Sequence, residues 1–179
     1  MSSQLLFLII IALTAGERLV ELYFSKRNAK WSFRYGGHEV GQTHYIYMVI
    51  LHTGFLLACV AEVHFFAREF TPAIGYTLII AAILLQVLRW WCITTLGFRW
   101  NTRVIIVPGL PRVTGGPYRW FSHPNYVAVV LEGIALPLIH NAYLTAIAFT
   151  VLNAILLKVR IGIENRALDD MESGMVGAT

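Results

Sequence analysis

The chain has 179 residues, of which 57% are hydrophobic and only 13% charged, and its net charge is +4; the mean hydropathy is +0.63. Soluble domains carry about 25% charged residues, so the composition excludes an ordinary water-soluble domain, and so small a net charge gives no nucleic-acid footprint. Cys59 and Cys92, the two cysteines, both lie in apolar runs and read as small buried hydrophobes, not as a disulfide or a metal pair.

Crossing the hydrocarbon core as a helix takes about 20 apolar residues, and such runs occur at 4–24, 45–63, 73–96 and 142–161. The first has no basic stretch before it and no small-residue cleavage pattern after it, so it reads as a retained span and not as a signal peptide. A shorter run, 125–139, is joined to the last one through Pro137 and the His140–Asn141 turn, which predicts a tight helical hairpin. The fold class expected is all-α: a single multi-pass membrane domain over 1–179 with about five transmembrane helices. The residues from Leu168 to Thr179 are small and acidic and read as a frayed tail.

Orientation follows from the basic residues. Lys26, Arg27, Lys30 and Arg34 follow the first span. Arg99, Arg103, Arg112 and Arg119 lie between the third and fourth, and Lys158, Arg160 and Arg166 end the fifth. With five spans these regions share one side, leaving only Arg68 between spans on the other. The positive-inside rule makes the crowded side cytoplasmic, with the N-terminus out and the C-terminus in.

Ionisable residues inside spans are expensive unless paired or hydrated, and by default they mark function. Glu17, Arg18 and Glu21 lie in the first span, Arg89 in the third and Glu132 in the fourth. At about 1.5 Å rise per residue, all five fall within about 4 to 12 Å of the cytoplasmic ends of their helices. Arg18 stands three before Glu21 and can pair with it. This layer is expected to form a polar pocket opening towards the cytoplasm or the inner leaflet; the alternative is a salt-bridge network with no chemistry.

Below the layer runs Gly115–Tyr126, "GGPYRWFSHPNY". Pro117 and Pro124 rule out a regular helix through it, and the glycines allow positive φ. Pro124 suits the first turn of the fourth span, which sets His123 just before that turn and Asn125 and Tyr126 on it, beside free backbone donors. Such a construction suits a polar or anionic group. His44 and His52 share no metal-ligand spacing with any cysteine, His38, His64 and His140 sit in loops or at span ends, and no metal is expected.

This stretch, followed by "VAVVLEGIALPL" and, after another span, by "RIGIENRAL", resembles the isoprenylcysteine carboxyl methyltransferase family, small multi-pass enzymes that use S-adenosylmethionine. Gly116-Pro117-Tyr118-Arg119, His123-Pro124-Asn125-Tyr126 and Arg160/Glu164/Leu168 match its pattern over about residues 96–168. Glu17-Arg18 with Glu21, Trp100-Asn101-Thr102-Arg103 and the form His-Pro-Asn-Tyr resemble the bacterial branch, some of which O-methylates alkylpyrones or alkylresorcinols. Two departures stand out: Ser122 replaces the usual Arg before His, and Asn165 replaces the second Glu of a Glu-Glu pair.

The resemblance implies a bacterial inner-membrane O-methyltransferase whose site faces the cytoplasm. Its cofactor region would span about 97–126 and 158–170, with S-adenosylmethionine held by Gly116, Pro117, Tyr118, His123, Pro124, Asn125, Tyr126 and Glu164. The acceptor would be lipophilic and enter from the membrane lipid. A carboxylate acceptor would need an arginine clamp, Arg89 or Arg160, and a hydroxyl would need a base, Glu132 or Glu17. Competing expectations are an NADPH-dependent membrane reductase of the sterol-reductase type and a non-catalytic membrane interaction protein.

Overall fold

The computed structural model describes residues 2–176. Five helices account for most of them: α1 Ser3–Arg34, α2 Gln42–Phe65, α3 Pro72–Leu96, α4 Pro124–Leu138 and α5 Tyr143–Val176. The Ser2 hydroxyl caps α1 by accepting from the Leu5 amide. No proline or glycine pair interrupts α1 until Gly36 and Gly37, where Gly36 adopts φ +76 and the Gly37 amide returns to the Ser32 carbonyl at 2.8 Å. Pro72 and Pro124 occupy the first turns of α3 and α4, where the missing N–H has no helical partner to lose.

α2, α3 and α5 are each long and apolar enough to cross a membrane. α4, with 15 residues, rises about 22 Å, less than the roughly 30 Å hydrocarbon core. α1 is interrupted by its own charges. Leu13, Leu57, Leu84, Val87 and Ile147 stand exposed on the outer faces, as a lipid-facing surface requires. The α4–α5 hairpin forms as expected, through the turn at 139–142, with Asn141 at φ 56 and the Ala142 amide bonded to the Pro137 carbonyl. Asn141 also ties this turn to the α2–α3 loop, donating to the Glu69 carbonyl at 2.7 Å and Thr71 Oγ1 at 3.0 Å.

Glu62, near the end of α2, caps α5 instead: its carboxylate accepts from the Leu144 and Thr145 amides at 3.1 and 2.7 Å and from Arg68. A carboxylate satisfies free amides and opposes the positive end of the helix dipole there. The apolar core sits at this end of the bundle, built from Phe7, Ile11, Phe55, Leu136, Ile139 and Phe149 among others. Gly133 lets α4 approach α5, since a Cβ there would meet Phe149 ring carbons at 2.3 and 2.4 Å.

Two features depart from expectation. α5 continues as helix to Val176, so Leu168–Val176 is not frayed; residues 177–179 lie outside the described residues. A two-stranded ribbon also forms, β1 His38–Val40 pairing antiparallel with β2 Val104–Ile106, so that His38 opposes Ile106 and Val40 opposes Val104. It fastens the α1–α2 loop to the long α3–α4 connection.

Candidate active site

The charged layer assembles, and it is closed by its own pairings. Arg18 donates to both oxygens of Glu132 at 2.6 and 2.7 Å and to Glu21 at 2.8 Å. Arg89 donates to Glu21 through Nε and through Nη2, the latter at 2.7 Å. Glu17 accepts from Gln86 and from the Trp90 indole. Charge-assisted pairs of this kind are strong when little water competes, and they replace the expected open pocket by a cavity of only about 30 Å³ lined in part by Arg18, His52, Arg89 and Glu132. Two polar atoms in the layer are buried without a partner, Arg89 Nη1 and Gln86 Oε1.

The larger space lies beneath, around the GGPYRWFSHPNY turn. A cavity of about 380 Å³ opens there, within the usual range of small-molecule pockets. Its walls come from β2 and the chain beyond it to Thr114, from the start of α4, and from the face of α5 that carries Arg160, Glu164 and Leu168. Tyr118, Ser122, His123, Asn125 and Tyr126 all line it. Gly116, Pro117 and Pro124 do not; they shape the turn from behind. Gly116 takes φ +53, and a Cβ on it would meet Thr95 Oγ1 at 2.6 Å. This backbone favours glycine, and it starts the short 3₁₀ turn Gly116–Arg119.

One hydrogen-bonded chain joins α4 to α5 across the cavity. The Tyr126 hydroxyl donates to Glu164 and accepts from Arg160 Nε at 2.7 Å. Arg160 Nη1 donates to the Thr102 carbonyl at 2.7 Å and lies 3.1 Å from the Met48 sulfur. The His123 ring stacks on Tyr126, with centroids 5.2 Å apart and planes 19° from parallel, and its Nε2 lies 3.0 Å from Asn165 Oδ1. Tyr118 hydrogen-bonds the buried Cys92 thiol, and burial pushes its hydroxyl well above the ordinary phenol range. Asn125 Oδ1 is buried with no hydrogen-bond partner.

Of the residues singled out in the sequence, Tyr118, His123, Asn125, Tyr126, Arg160 and Glu164 converge on one cavity. Glu17, Arg89 and Glu132 converge on the layer above it. The sequence reading missed Gln86 and Trp90, which hold Glu17. Their spacing from Arg89 puts all three on one face of α3, and that was the available signal. It also missed Ser25 and Asn28. Asn28 donates to the carbonyls of Gly97 and Trp100 at 3.1 and 2.8 Å, and the Ser25 hydroxyl meets Thr102 Oγ1 at 2.7 Å, so α1 fixes the start of the cavity wall.

Comparison with known proteins adds two findings. The family model described as the isoprenylcysteine carboxyl methyltransferase (ICMT) family matches residues 77–170. Over 167 residues the chain is 38% identical to the uncharacterized protein YpbQ of Bacillus subtilis, across 92% of this chain and 98% of that one.

Proposed function

The chain belongs to the isoprenylcysteine carboxyl methyltransferase family and is an integral membrane methyltransferase; on that premise we propose that it transfers a methyl group from S-adenosylmethionine to an oxygen of a lipophilic acceptor. The acceptor oxygen is a hydroxyl or a carboxylate, as on an alkylpyrone, an alkylresorcinol or an isoprenylcysteine. One observation carries the proposal: a cavity at the start of α4 lined by His123, Asn125 and Tyr126 and closed from α5 by Glu164.

The residues fit the donor. Asn125 Oδ1 is a buried acceptor without a donor, which an amino or ribose group satisfies. Glu164 and the Tyr126 and His123 rings form an anionic and aromatic wall, favourable to a cation. When bound, S-adenosylmethionine would supply an electrophilic methyl on a sulfonium, a displacement that depends on positioning and exclusion of water.

In this reading Tyr118, His123, Asn125, Tyr126 and Glu164 hold the donor, and Gly116, Pro117 and Pro124 set the turn. Arg160 positions Tyr126 and lies at the cavity wall as a clamp for a carboxylate acceptor. Arg89 has its unpartnered Nη1 to offer an acceptor oxygen from above, and Glu132 or Glu17 would take the proton of a hydroxyl acceptor. The N-terminus lies outside a bacterial inner membrane and the cavity faces the cytoplasm, where a soluble donor is at hand.

Ligand linkage tests the donor. Purified protein in detergent gains thermal stability with S-adenosylmethionine or its demethylated product and none with NADPH. Stabilisation by NADPH alone refutes the proposal.

A further inference from the structure

The last three turns of α1 are two-faced. Ser25, Asn28 and Ser32 are buried, and the first two grip residues 97–102 at the wall of the larger cavity. The opposite face carries Lys26, Arg27, Lys30 and Arg34, all exposed. Among the described residues none of these four has a carboxylate within ion-pair distance. Aromatic rings interleave with them. The Arg27 guanidinium lies over the Phe24 and Phe98 rings at 4.9 and 5.0 Å, Trp31 stacks on Phe98 at 5.7 Å, and Phe33 and Phe98 are themselves exposed.

Depth narrows what such a face meets. The apolar run of α1 ends near residue 24, so Lys26, Arg27 and Lys30 lie about 3 to 9 Å beyond it along the axis, and Arg34 about 15 Å. The headgroup band is roughly 5 to 8 Å thick on each side of the hydrocarbon. Lys26 and Arg27 therefore stand at headgroup level and Lys30 at its outer edge, whereas Arg34 lies beyond it, in the last turn of α1 at the negative end of the helix dipole. Unpaired cations at that depth, with aromatic side chains beside them, complement a phosphodiester with its acyl chains alongside.

We propose that Lys26, Arg27 and Lys30 form a binding site for an anionic phospholipid headgroup, and that its occupancy steadies residues 97–102 through Ser25 and Asn28 on the reverse face of the same turns. The site is independent of the methyl donor, and so is its test.

The full chain is reconstituted in nanodiscs of phosphatidylcholine alone or of equal phosphatidylcholine and phosphatidylglycerol. The lipid retained after gentle delipidation is weighed by native mass spectrometry, and amide hydrogen exchange is followed over 97–106. An anionic surface gives about a fivefold preference per basic residue at most, so several-fold enrichment of phosphatidylglycerol is expected, with slower exchange over 97–106 in the mixed discs. The triple variant Lys26→Gln, Arg27→Gln, Lys30→Gln loses both effects while matching the wild type in pure phosphatidylcholine, which shows that it is folded. Equal retention of the two lipids by the wild type, or enrichment that survives in the triple variant, overturns the site. Enrichment with unchanged exchange over 97–106 overturns the coupling.

Discussion

Removing Glu21 separates a structural role of the charged layer from a decorative one. Glu21 is 2% exposed and Arg89 8%, so the pair belongs to the buried regime, in which loss of one partner costs about 3–5 kcal/mol; an exposed pair would be worth at most about 1. Glu21→Leu strips Arg89 of both its bonds, and Nη1 is already without a partner. Arg18 keeps Glu132, so the damage falls mainly on Arg89. For a chain of this length each kcal/mol moves the melting temperature by roughly 2–4 °C, and thermal unfolding in detergent, followed by tryptophan fluorescence, should show a fall of roughly 6–20 °C. Arg89→Met added to Glu21→Leu removes the stranded charge and returns most of that loss, because an apolar pair can replace a buried ion pair at little net cost. A single-variant loss below about 1 kcal/mol, or a double variant whose loss is the sum of the two singles, refutes the reasoning.

Tyr126→Phe deletes the hydroxyl that joins Arg160 to Glu164; donor affinity by calorimetry should weaken about tenfold, roughly one lost hydrogen bond, and the melting temperature should fall by a few degrees because buried Arg160 loses its Nε partner. Gly133→Ala drives a methyl into the Phe149 ring and should cost about 1–3 kcal/mol by overpacking, part of which Phe149→Leu recovers in the double variant. His140 lies between Phe7 and Phe70, and burial holds its imidazole below the ordinary range. On acidification the unfolded chain therefore takes up that proton first, and stability declines below about pH 6.5. The melting temperature of His140→Gln should fall less steeply than the wild type's between about pH 7 and 5; equal slopes would exclude this residue as a source.

The helices were legible because lipid-facing segments must be apolar throughout, and the hairpin because Pro137 and Asn141 punctuate it. The charged layer was legible too, since Glu17, Arg18, Glu21, Arg89 and Glu132 had no water to face at that depth. Its closure was not: pairing between helices, such as Arg18 with Glu132, depends on side-chain reach that spacing along one helix does not encode. α1 and α5 run on beyond their apolar stretches because Lys, Arg, Glu and Ala sustain helix about as well as Leu does outside the membrane, where hydropathy carries no signal. The β1–β2 ribbon joins three residues to three others far along the chain, too short for alternation to register. Glu62 as a cap for α5 was hidden for the same reason, its partners being backbone amides of a distant turn.

The central claim is methyl transfer to a lipophilic oxygen from a donor held at His123–Tyr126 and Glu164. The most direct measurement incubates nanodisc-reconstituted protein with methyl-labelled S-adenosylmethionine and a bacterial lipid extract, then counts label in the organic phase before and after mild alkali. The account predicts label in the organic phase, lost with Glu164→Ala, that alkali removes from a methyl ester and leaves on a methyl ether. Label confined to the aqueous phase, from protein that binds the donor, would contradict it.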